Sequence, residues 1–293
     1  MKAWVPWRAR QIVRSLLTAA RLMPAPPVGP DYLQRQVLRS WRKESRNLAW
    51  FGLRDGMSVV DLGCGPGHFT ACLADWLPQA TLIALDAKPE MLQLARKRLG
   101  DRVGQQITLA QAQAEATRLP ADTYDFFIAR LLFQHLTDPL SAAQEAWRIL
   151  KPGGKLVITD VDDGLFGVVE PRVPGLARVL TRYGEAQAQR GGNRRIGRSL
   201  VRLLRTAGFI QVDIESIAIH SDEAGLAECF PQLDPAPLQS LVAAGHLSQQ
   251  EYTVLREAYQ AFLGTAEPFV LILLFMACGI KPDHRAEMFM EGA

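Results

Sequence analysis

Three glycines alternate with other residues directly after a short apolar stretch, in the segment VVDLGCGPGHFT at residues 59–70. Glycine lets another group approach the backbone closely, and it is costly inside regular structure. Gly63, Gly65 and Gly67 therefore indicate a turn with a special requirement. A bound phosphate, a bound adenosine or a tight turn alone would satisfy that requirement. A Walker-type phosphate loop is excluded, because no Gly-Lys-Ser or Gly-Lys-Thr follows the glycines.

Two acidic side chains further along the chain favour adenosine among these alternatives. Asp86 ends the next apolar segment, where a carboxylate can accept hydrogen bonds from both hydroxyls of a ribose. Asp86 also fits a second interpretation, in which it caps a helix that begins near Lys88 and Pro89. Glu115 can accept from the exocyclic amino group of adenine, with the backbone N–H of Ala116 donating to the ring. A dinucleotide is disfavoured, since the glycines follow G-x-G-x-G rather than G-x-G-x-x-G spacing.

Apolar strand-like segments alternate with helical segments from residue 57 onward. The predicted strands are MSVVDLG, ATLIALD, QITLAQA, YDFFIAR and GKLVITD, and the predicted helices between them are Phe69–Leu77, Pro89–Leu99 and PLSAAQEAWRIL. Strict alternation predicts a parallel sheet with helices on both faces. Ligands bind such sheets at the carboxyl ends of the strands, where the glycine turn lies.

The rest of the chain is more helical and predicts covering elements around this sheet. Helices are predicted over about 31–51, 176–189 and 195–208, with strands over 210–220 and 267–279 and further helices within 222–264. We expect an N-terminal helical lid at 1–54 and a main domain at 55–293. The main domain would carry cap insertions at about 161–194 and 218–266.

Four segments stand in the order and spacing of class I S-adenosylmethionine-dependent methyltransferases: VVDLGCGPGHFT, LIALDAKPEML, AEATRLPADTYD and RILKPGGKLVITD. The chain most resembles the small-molecule branch that includes the ubiquinone/menaquinone-biosynthesis methyltransferases, in detail over residues 57–160. The resemblance implies a Rossmann-like α/β fold with a seven-stranded sheet of order 3-2-1-4-5-7-6. Its last strand would be antiparallel, and helices from the N-terminus and the late insertions would cap it.

The resemblance also implies a cofactor site for S-adenosyl-L-methionine. Its expected residues are Asp61, Gly63, Gly65, Gly67, Asp86, Ala87, Glu115, Ala116 and Arg130. The glycine loop would hold the methionine part and Asp61 its amino group, while Arg130 would line the methionine tail. Asp86 would take the ribose and Glu115 the adenine amino group, with Leu119 near the adenine face. Glu115 departs from the family, where Asp is commoner, but its carboxylate has the same chemistry with a longer reach.

The substrate side offers fewer signals, because the cofactor carries the reactivity and the protein mainly positions the nucleophile. His135, in LLFQHLTDP, follows the fourth strand and is a candidate base or substrate-orienting residue. A structural hydrogen bond is the alternative for this histidine. Asp160, Asp162 and Asp163 end the fifth strand at the same edge. They could bind a polar or cationic substrate, with Asp160 a second catalytic candidate, or they could cap and solvate the loop.

Tyr183 is a further candidate for substrate contact, and His220 is a weaker one. A stripe of five arginines lies beside apolar residues on one predicted helix: Arg194, Arg195, Arg198, Arg202 and Arg205. We expect this stripe to be a solvated face, as most charged helix faces are.

The N-terminal region carries most of the positive charge. Residues 1–54 hold eleven Lys and Arg against two acidic residues, although the whole chain is only +3. Residues 8–23 predict a basic amphipathic helix that acts as a lid or makes peripheral contact with a membrane or an acidic partner. We expect no stable membrane insertion, because the longest apolar run is too short to span a bilayer.

Composition and motifs make several other classes of function less favoured. The four cysteines lie far apart without a metal-binding spacing, so we expect no metal site and a cytoplasmic protein. Nucleic acid is disfavoured as a partner, since the core has no aromatic-basic platform. The sequence thus predicts a methyltransferase acting on a fairly apolar small molecule at O, N or C. A catalytically inactive cofactor-binding scaffold and a protein or RNA methyltransferase stay open as alternatives.

Overall fold

The computed structural model describes residues 30–165, 167–229 and 238–283. Within these ranges eight strands form one sheet: β1 (Ser58–Leu62), β2 (Thr81–Asp86), β3 (Ile107–Gln111), β4 (Tyr124–Arg130), β5 (Leu150–Val161), β6 (Gly167–Glu170), β7 (Ile210–His220) and β8 (Phe269–Ile280). The longer helices are α1 (Pro30–Trp50), α2 (His68–Trp76), α3 (Pro89–Leu99), α4 (Pro139–Ile149), α5 (Leu176–Ala188) and α6 (Leu200–Thr206). They are followed by α7 (Ser221–Ala224), α8 (Leu226–Cys229), α9 (Gln239–Ala243) and α10 (Gln249–Leu263).

The sheet has the order β3-β2-β1-β4-β5-β8, and β7 pairs with the other side of β8. Strands β1 to β5 are parallel, whereas β8 runs antiparallel to its neighbours. The predicted order 3-2-1-4-5-7-6 is confirmed, with the last two strands renumbered because β6 precedes them. The carboxyl ends of β1, β2 and β4 therefore meet at one edge of the sheet.

Strand β6 is an addition that the sequence pattern does not predict. It pairs with the start of β8 at Phe269–Ile272, in line with β5, which pairs with Leu274–Ile280 of the same strand. Most of its residues are exposed, so it lacks the apolar alternation that indicates a half-buried strand. Pairing with β8 stabilises it instead.

Buried apolar side chains form one layer on each face of the sheet. Helices α1, α2, α3 and α10 cover one face, and α4 and α6 cover the other. In β1, Val59 faces the first layer and Val60 the second, which is the two-residue alternation of a strand. The sequence prediction of helices on both faces of a parallel sheet is confirmed.

Helix α1 packs across the sheet edge rather than standing apart from it. The ring of Trp41 meets that of Phe69 edge-on, with centroids 5.6 Å apart. Lys43 Nζ donates to the carbonyl of Ala218 at 2.6 Å and pairs with Glu223 at 2.5 Å. The predicted basic helix at residues 8–23 lies outside the described residues. In the ranges that are described, no helix has the length and apolar character needed to cross a membrane.

Candidate functional site

The glycine turn leaves β1 at the carboxyl edge of the sheet and leads into α2. All three glycines have positive φ, of 74° at Gly63, 54° at Gly65 and 81° at Gly67. The N–H groups of Gly63 and Cys64 donate to the carbonyl of Leu85 at 2.7 and 2.9 Å, which ties the turn to β2. Residues with side chains rarely adopt such φ values, so glycine is required at this turn.

The three glycines differ in what lies beside them. A Cβ on Gly65 would meet nothing within 4 Å, whereas one on Gly67 would lie 3.2 Å from the backbone of Ala95 in α3. A Cβ on Gly63 would lie 3.0 Å from the side chain of Leu132. Gly65 therefore borders open space, while Gly67 permits close packing of α2 against α3.

Asp86 links the glycine turn to the start of α3. Its Oδ2 accepts from the N–H of Gly65 and its Oδ1 from the N–H of Lys88, both at 2.9 Å. The carboxylate is half-buried. Each oxygen keeps a second lone-pair site, so these two bonds are compatible with bidentate recognition of a ligand.

Asp61 lies under the turn, almost fully buried. The hydroxyl of Thr70 donates to its Oδ2 at 2.6 Å. Burial raises the pKa of Asp61 to about 6, although the Thr70 hydrogen bond and the charge of Arg130 favour the carboxylate. At neutral pH the group is therefore mostly ionised and suited to a cationic partner.

Arg130 ends β4 and directs its guanidinium toward α1. Its Nε is 3.0 Å from each carboxylate oxygen of Glu44, and its Nη2 donates to Ser40 Oγ at 3.0 Å and to the carbonyl of Gln36 at 3.1 Å. The Glu44 side chain is fully buried and that of Arg130 is 7% exposed. This ion pair holds α1 over the carboxyl end of β4, close to Asp61.

The residues predicted to lie near the adenine include Glu115, Ala116 and Leu119, which follow β3. Glu115 is half-buried, as are Ala87 and Leu119. The backbone N–H of Ala116 donates to the carbonyl of Gln113 at 3.2 Å. That N–H, for which the sequence predicts a contact with an adenine ring, already has an acceptor within its own turn.

Asp160 is the most buried of the predicted substrate-side acids. Its oxygens accept from the N–H groups of Gln134 at 3.0 Å and Val161 at 2.8 Å. Burial raises the pKa of this carboxyl to about 7, against the lowering effect of those hydrogen bonds. Asp160 therefore joins the ends of β4 and β5. The space at the carboxyl ends of β1, β4 and β5, next to α1, is called the cleft below.

Asp162 and Asp163 each form an ion pair with an arginine. Arg198 contacts Asp162 through Nε and Nη2 at 2.5 and 2.7 Å, and Arg194 contacts Asp163 through the same atoms at 2.7 and 2.8 Å. The prediction of a solvated arginine stripe is wrong at Arg194, whose side chain is 18% exposed, whereas Arg198 is exposed as predicted and also pairs with Asp162. Asp162 lies within a bidentate pair rather than facing an open substrate space.

Tyr183 and His220, the two aromatic candidates for substrate contact, lie in different parts of the fold. Tyr183 lies under the guanidinium of Arg194, whose carbon is 4.9 Å from the ring centroid. His220 ends β7 and stacks on Phe269, with its Nε2 3.5 Å from Glu223. Tyr183 thus joins the Arg194 network, whereas His220 belongs to the contact between β7 and α7.

His135 follows β4 in a single helical turn, with an exposed edge. Its Nδ1 is 3.3 Å from the side-chain nitrogen of Gln187. Desolvation and the positive charges of Arg194, Lys88 and Arg190 lower its pKa to about 4. The ring is therefore neutral at physiological pH.

Four residues that the sequence does not single out contribute to this site: Tyr32, Glu44, Gln134 and Gln187. Glu44 is an isolated acid within a basic helix, a pattern that could have indicated a buried partner. Burial raises the pKa of Tyr32 in α1, while the positive charges of Arg39, Arg194 and Arg130 act to lower it. The two glutamines carry no pattern that distinguishes them from surface residues.

Residues 60–158, which contain the glycine turn and all strands up to β5, match the family described as "Methyltransferase domain". The chain contains a class I S-adenosylmethionine-dependent methyltransferase domain. The strand order with an antiparallel β8 agrees with this class. The methyltransferase domain thus accounts for the turn, Asp86 and the strand edge at which they meet.

The chain spans about half the length of the curated relatives it matches, from 40% to 66% of each. Trans-aconitate 2-methyltransferase of Azoarcus sp. is 40% identical over 111 residues, covering 38% of this chain and 42% of that protein. The ubiquinone/menaquinone biosynthesis C-methyltransferase UbiE of Pasteurella multocida is 32% identical over 132 residues, covering 44% of this chain and 48% of that protein.

A solved structure extends the likeness of fold beyond the methyltransferase domain. Phosphoethanolamine N-methyltransferase 2 of Haemonchus contortus, in complex with phosphomonomethylethanolamine and S-adenosylhomocysteine, superposes with a TM-score of 0.55 at 19% identity. The alignment covers 83% of this chain and 53% of that one. At this identity the likeness is one of fold.

Proposed function

We propose that this chain transfers a methyl group from S-adenosyl-L-methionine to a small molecule, with the cofactor held at the carboxyl ends of β1, β2 and β4. The observation that carries the proposal is the geometry at Gly65. Its φ of 54° is combined with open space where a side chain would begin, and its N–H is bound by Asp86. The backbone there is held in place and exposed to a ligand.

Each end of the cofactor has residues of matching chemistry. The Asp86 carboxylate would accept both ribose hydroxyls through its remaining lone pairs, and Glu115 would accept from the adenine amino group. Asp61, mostly ionised at neutral pH, suits the ammonium of the methionine part. The N–H groups on Nε and Nη2 of Arg130 are engaged by α1, which leaves those on Nη1 for the carboxylate of that part.

When bound, the cofactor supplies an electrophilic methyl group. The chain's own contribution would be to orient the substrate and exclude water, since a nucleophile reacts faster when it is positioned and desolvated. Helix α1 covers the cleft through Tyr32 and the Glu44–Arg130 pair, and the loop after β5 is closed by Arg194 and Asp163. These elements would enclose a small, fairly apolar substrate methylated at O, N or C.

Calorimetry with S-adenosylhomocysteine and with NAD⁺ tests the cofactor assignment directly. We expect binding of S-adenosylhomocysteine alone. Binding of NAD⁺ alone, or of neither compound, would contradict the proposal.

Turnover needs a separate measurement, because a binding scaffold would pass the calorimetric test. Incubation with methyl-labelled cofactor and fractionated metabolites is expected to give a labelled small molecule. Binding without any labelled product, or label only on protein or RNA, would favour one of the alternative functions.

A further inference from the structure

Gln187 of α5 is a polar side chain buried beside the candidate substrate space, 3% exposed. Its Nε2 lies 2.7 Å from the backbone carbonyl oxygen of Gln134 and 3.3 Å from Nδ1 of His135. The same carbonyl also accepts from the N–H of Asn193 at 2.8 Å. One amide group thus contacts two residues, Gln134 and His135, of the turn that follows β4.

The carbonyl of Gln134 determines which way this amide faces. An oxygen at 2.7 Å from that carbonyl would be repelled, since neither atom could donate, so the NH₂ group must occupy the position. An amide NH₂ has donors and no acceptor. The contact at 3.3 Å is therefore a hydrogen bond only when Nδ1 of His135 accepts, which requires the ring proton to be on Nε2.

The loop after α5, which contains Gly191 and Gly192, packs closely against the Gln187 amide. A Cβ on Gly192 would lie 2.6 Å from the carbonyl of Gln134 and 2.8 Å from Cγ of Gln187. A Cβ on Gly191, whose φ is 87°, would lie 2.4 Å from the Thr137 side chain. The two glycines let the loop close over the Gln187 amide, which restricts its movement.

Desolvation first, and then charges on the neighbouring elements, lower the pKa of the His135 ring and favour its neutral form. Arg194 and Arg190 of the loop after α5 and Lys88 at the start of α3 each oppose protonation of His135. A neutral ring with its proton on Nε2 is consistent with the hydrogen-bond geometry. His135 is an exposed residue, and since Nδ1 faces the buried Gln187, Nε2 is the ring nitrogen left for a ligand.

We propose that Gln187 is a positioning residue that makes His135 a hydrogen-bond donor toward the substrate through Nε2. This inference rests on the proposed function for the identity of the cleft. It specifies the substrate atom next to His135 as an acceptor, such as a carbonyl or phenolate oxygen. It also removes His135 as a general base, because its only unprotonated nitrogen faces Gln187.

Nitrogen-15 NMR of the full chain labelled at histidine tests this assignment without a substrate. The His135 signals are identified by their loss in a His135→Gln variant. We expect Nδ1 to be unprotonated and Nε2 protonated in the wild-type protein. A wild-type ring with its proton on Nδ1, or with an even mixture of the two forms, would overturn the proposal.

Gln187→Glu supplies the matched reversal, because a carboxylate accepts where the amide donates. We expect the proton to move to Nδ1 and the titration midpoint of His135 to rise by about one to three pH units. Gln189→Glu adds the same charge at an exposed position two residues along and should leave the ring unchanged. A Gln187→Glu protein that keeps the proton on Nε2 would contradict the inference.

The same samples separate this inference from the proposed function. Should Gln187→Glu fail to fold, the wild-type tautomer alone decides the inference. S-adenosylhomocysteine bound by a protein with the opposite tautomer would refute the assignment of Gln187 and leave the proposed function standing. The expected tautomer without any S-adenosylhomocysteine binding would refute the proposed function instead.

Discussion

At the residue scale, Asp86 connects two backbone segments through its carboxylate, and its predicted contact with a ribose stays a prediction. Its carboxylate binds the N–H of Lys88 at the start of α3 and the N–H of Gly65 in the glycine turn. The helix contact orients the carboxylate, and the turn contact places it beside the open space at Gly65. A structural hydrogen bond thus prepares this side chain for a ligand.

Asp86→Ala is expected to weaken binding of S-adenosylhomocysteine by about ten- to a hundredfold, because charge-assisted hydrogen bonds to the ribose are lost. Calorimetry measures the change. Asp101→Ala removes an exposed carboxylate after α3 and serves as the control. Equal affinities for the wild type and Asp86→Ala would argue against the ribose assignment.

Alanine at Gly65 and at Gly67 is expected to separate binding from stability. Each substitution forces a residue with a side chain to adopt a positive φ, which costs roughly 1–2 kcal/mol. Only the Cβ at position 67 would also contact α3, at 3.2 Å from Ala95. We expect Gly65→Ala mainly to lower cofactor affinity and Gly67→Ala to lower the melting temperature further. Identical melting temperatures and affinities for the two variants would show that the space beside them does not differ.

At the element scale, α1 is joined to the sheet by charges at two very different depths. Glu44 pairs with Arg130 in the interior, whereas Glu223 receives Arg42 and Lys43 near the surface. A buried pair broken on one side leaves an uncompensated charge, while exposed pairs contribute little. The position of α1 over the cleft therefore depends mainly on the Glu44–Arg130 pair.

Glu44→Gln is expected to lower the free energy of unfolding by about 3–5 kcal/mol, because the Arg130 charge stays buried without its partner. Urea denaturation measures the loss. Glu223→Gln makes the same chemical change at the exposed pair and should have a much smaller effect. Comparable losses in the two variants would mean that the interior pair is not what holds α1.

At the scale of the whole molecule, buried carboxyl groups link stability to pH. The pKa of Asp160 is raised by burial to about 7, so the folded state binds a proton that the unfolded state has already released. Stability from this group is therefore lost as the pH rises from the unfolded pKa toward the folded one. The buried Asp61, with a pKa raised to about 6, acts in the same direction.

Asp160→Asn tests this linkage, since an amide keeps an acceptor oxygen and does not titrate. We expect the stability of the variant relative to the wild type to increase between about pH 4 and about pH 7 and then to level off. Each unit of pKa shift corresponds to about 1.4 kcal/mol. Denaturant unfolding over this range measures the difference, and a difference independent of pH would contradict a raised pKa.

The parts of this protein that were predictable are those encoded by neighbouring residues. Apolar periodicity sufficed for the five parallel strands and their helices, whereas the order of the sheet was predicted from the resemblance to class I S-adenosylmethionine-dependent methyltransferases. Strand β6 was not predictable, because its exposed residues depend on pairing with the start of β8. The contact of Gln187 with His135 was equally unpredictable, since the two residues are 52 positions apart in the chain.

By itself the sequence determined the class of fold and the position of the glycine turn, Asp61 and Asp86 at one sheet edge. These features follow from local backbone preferences and from the period of apolar residues, which need no distant partner. The tertiary structure alone reveals which charges are already paired and that Nδ1 of His135 lies beside the Gln187 amide. Ion pairs and tautomers depend on atoms meeting across the fold, at distances that residue order alone does not specify.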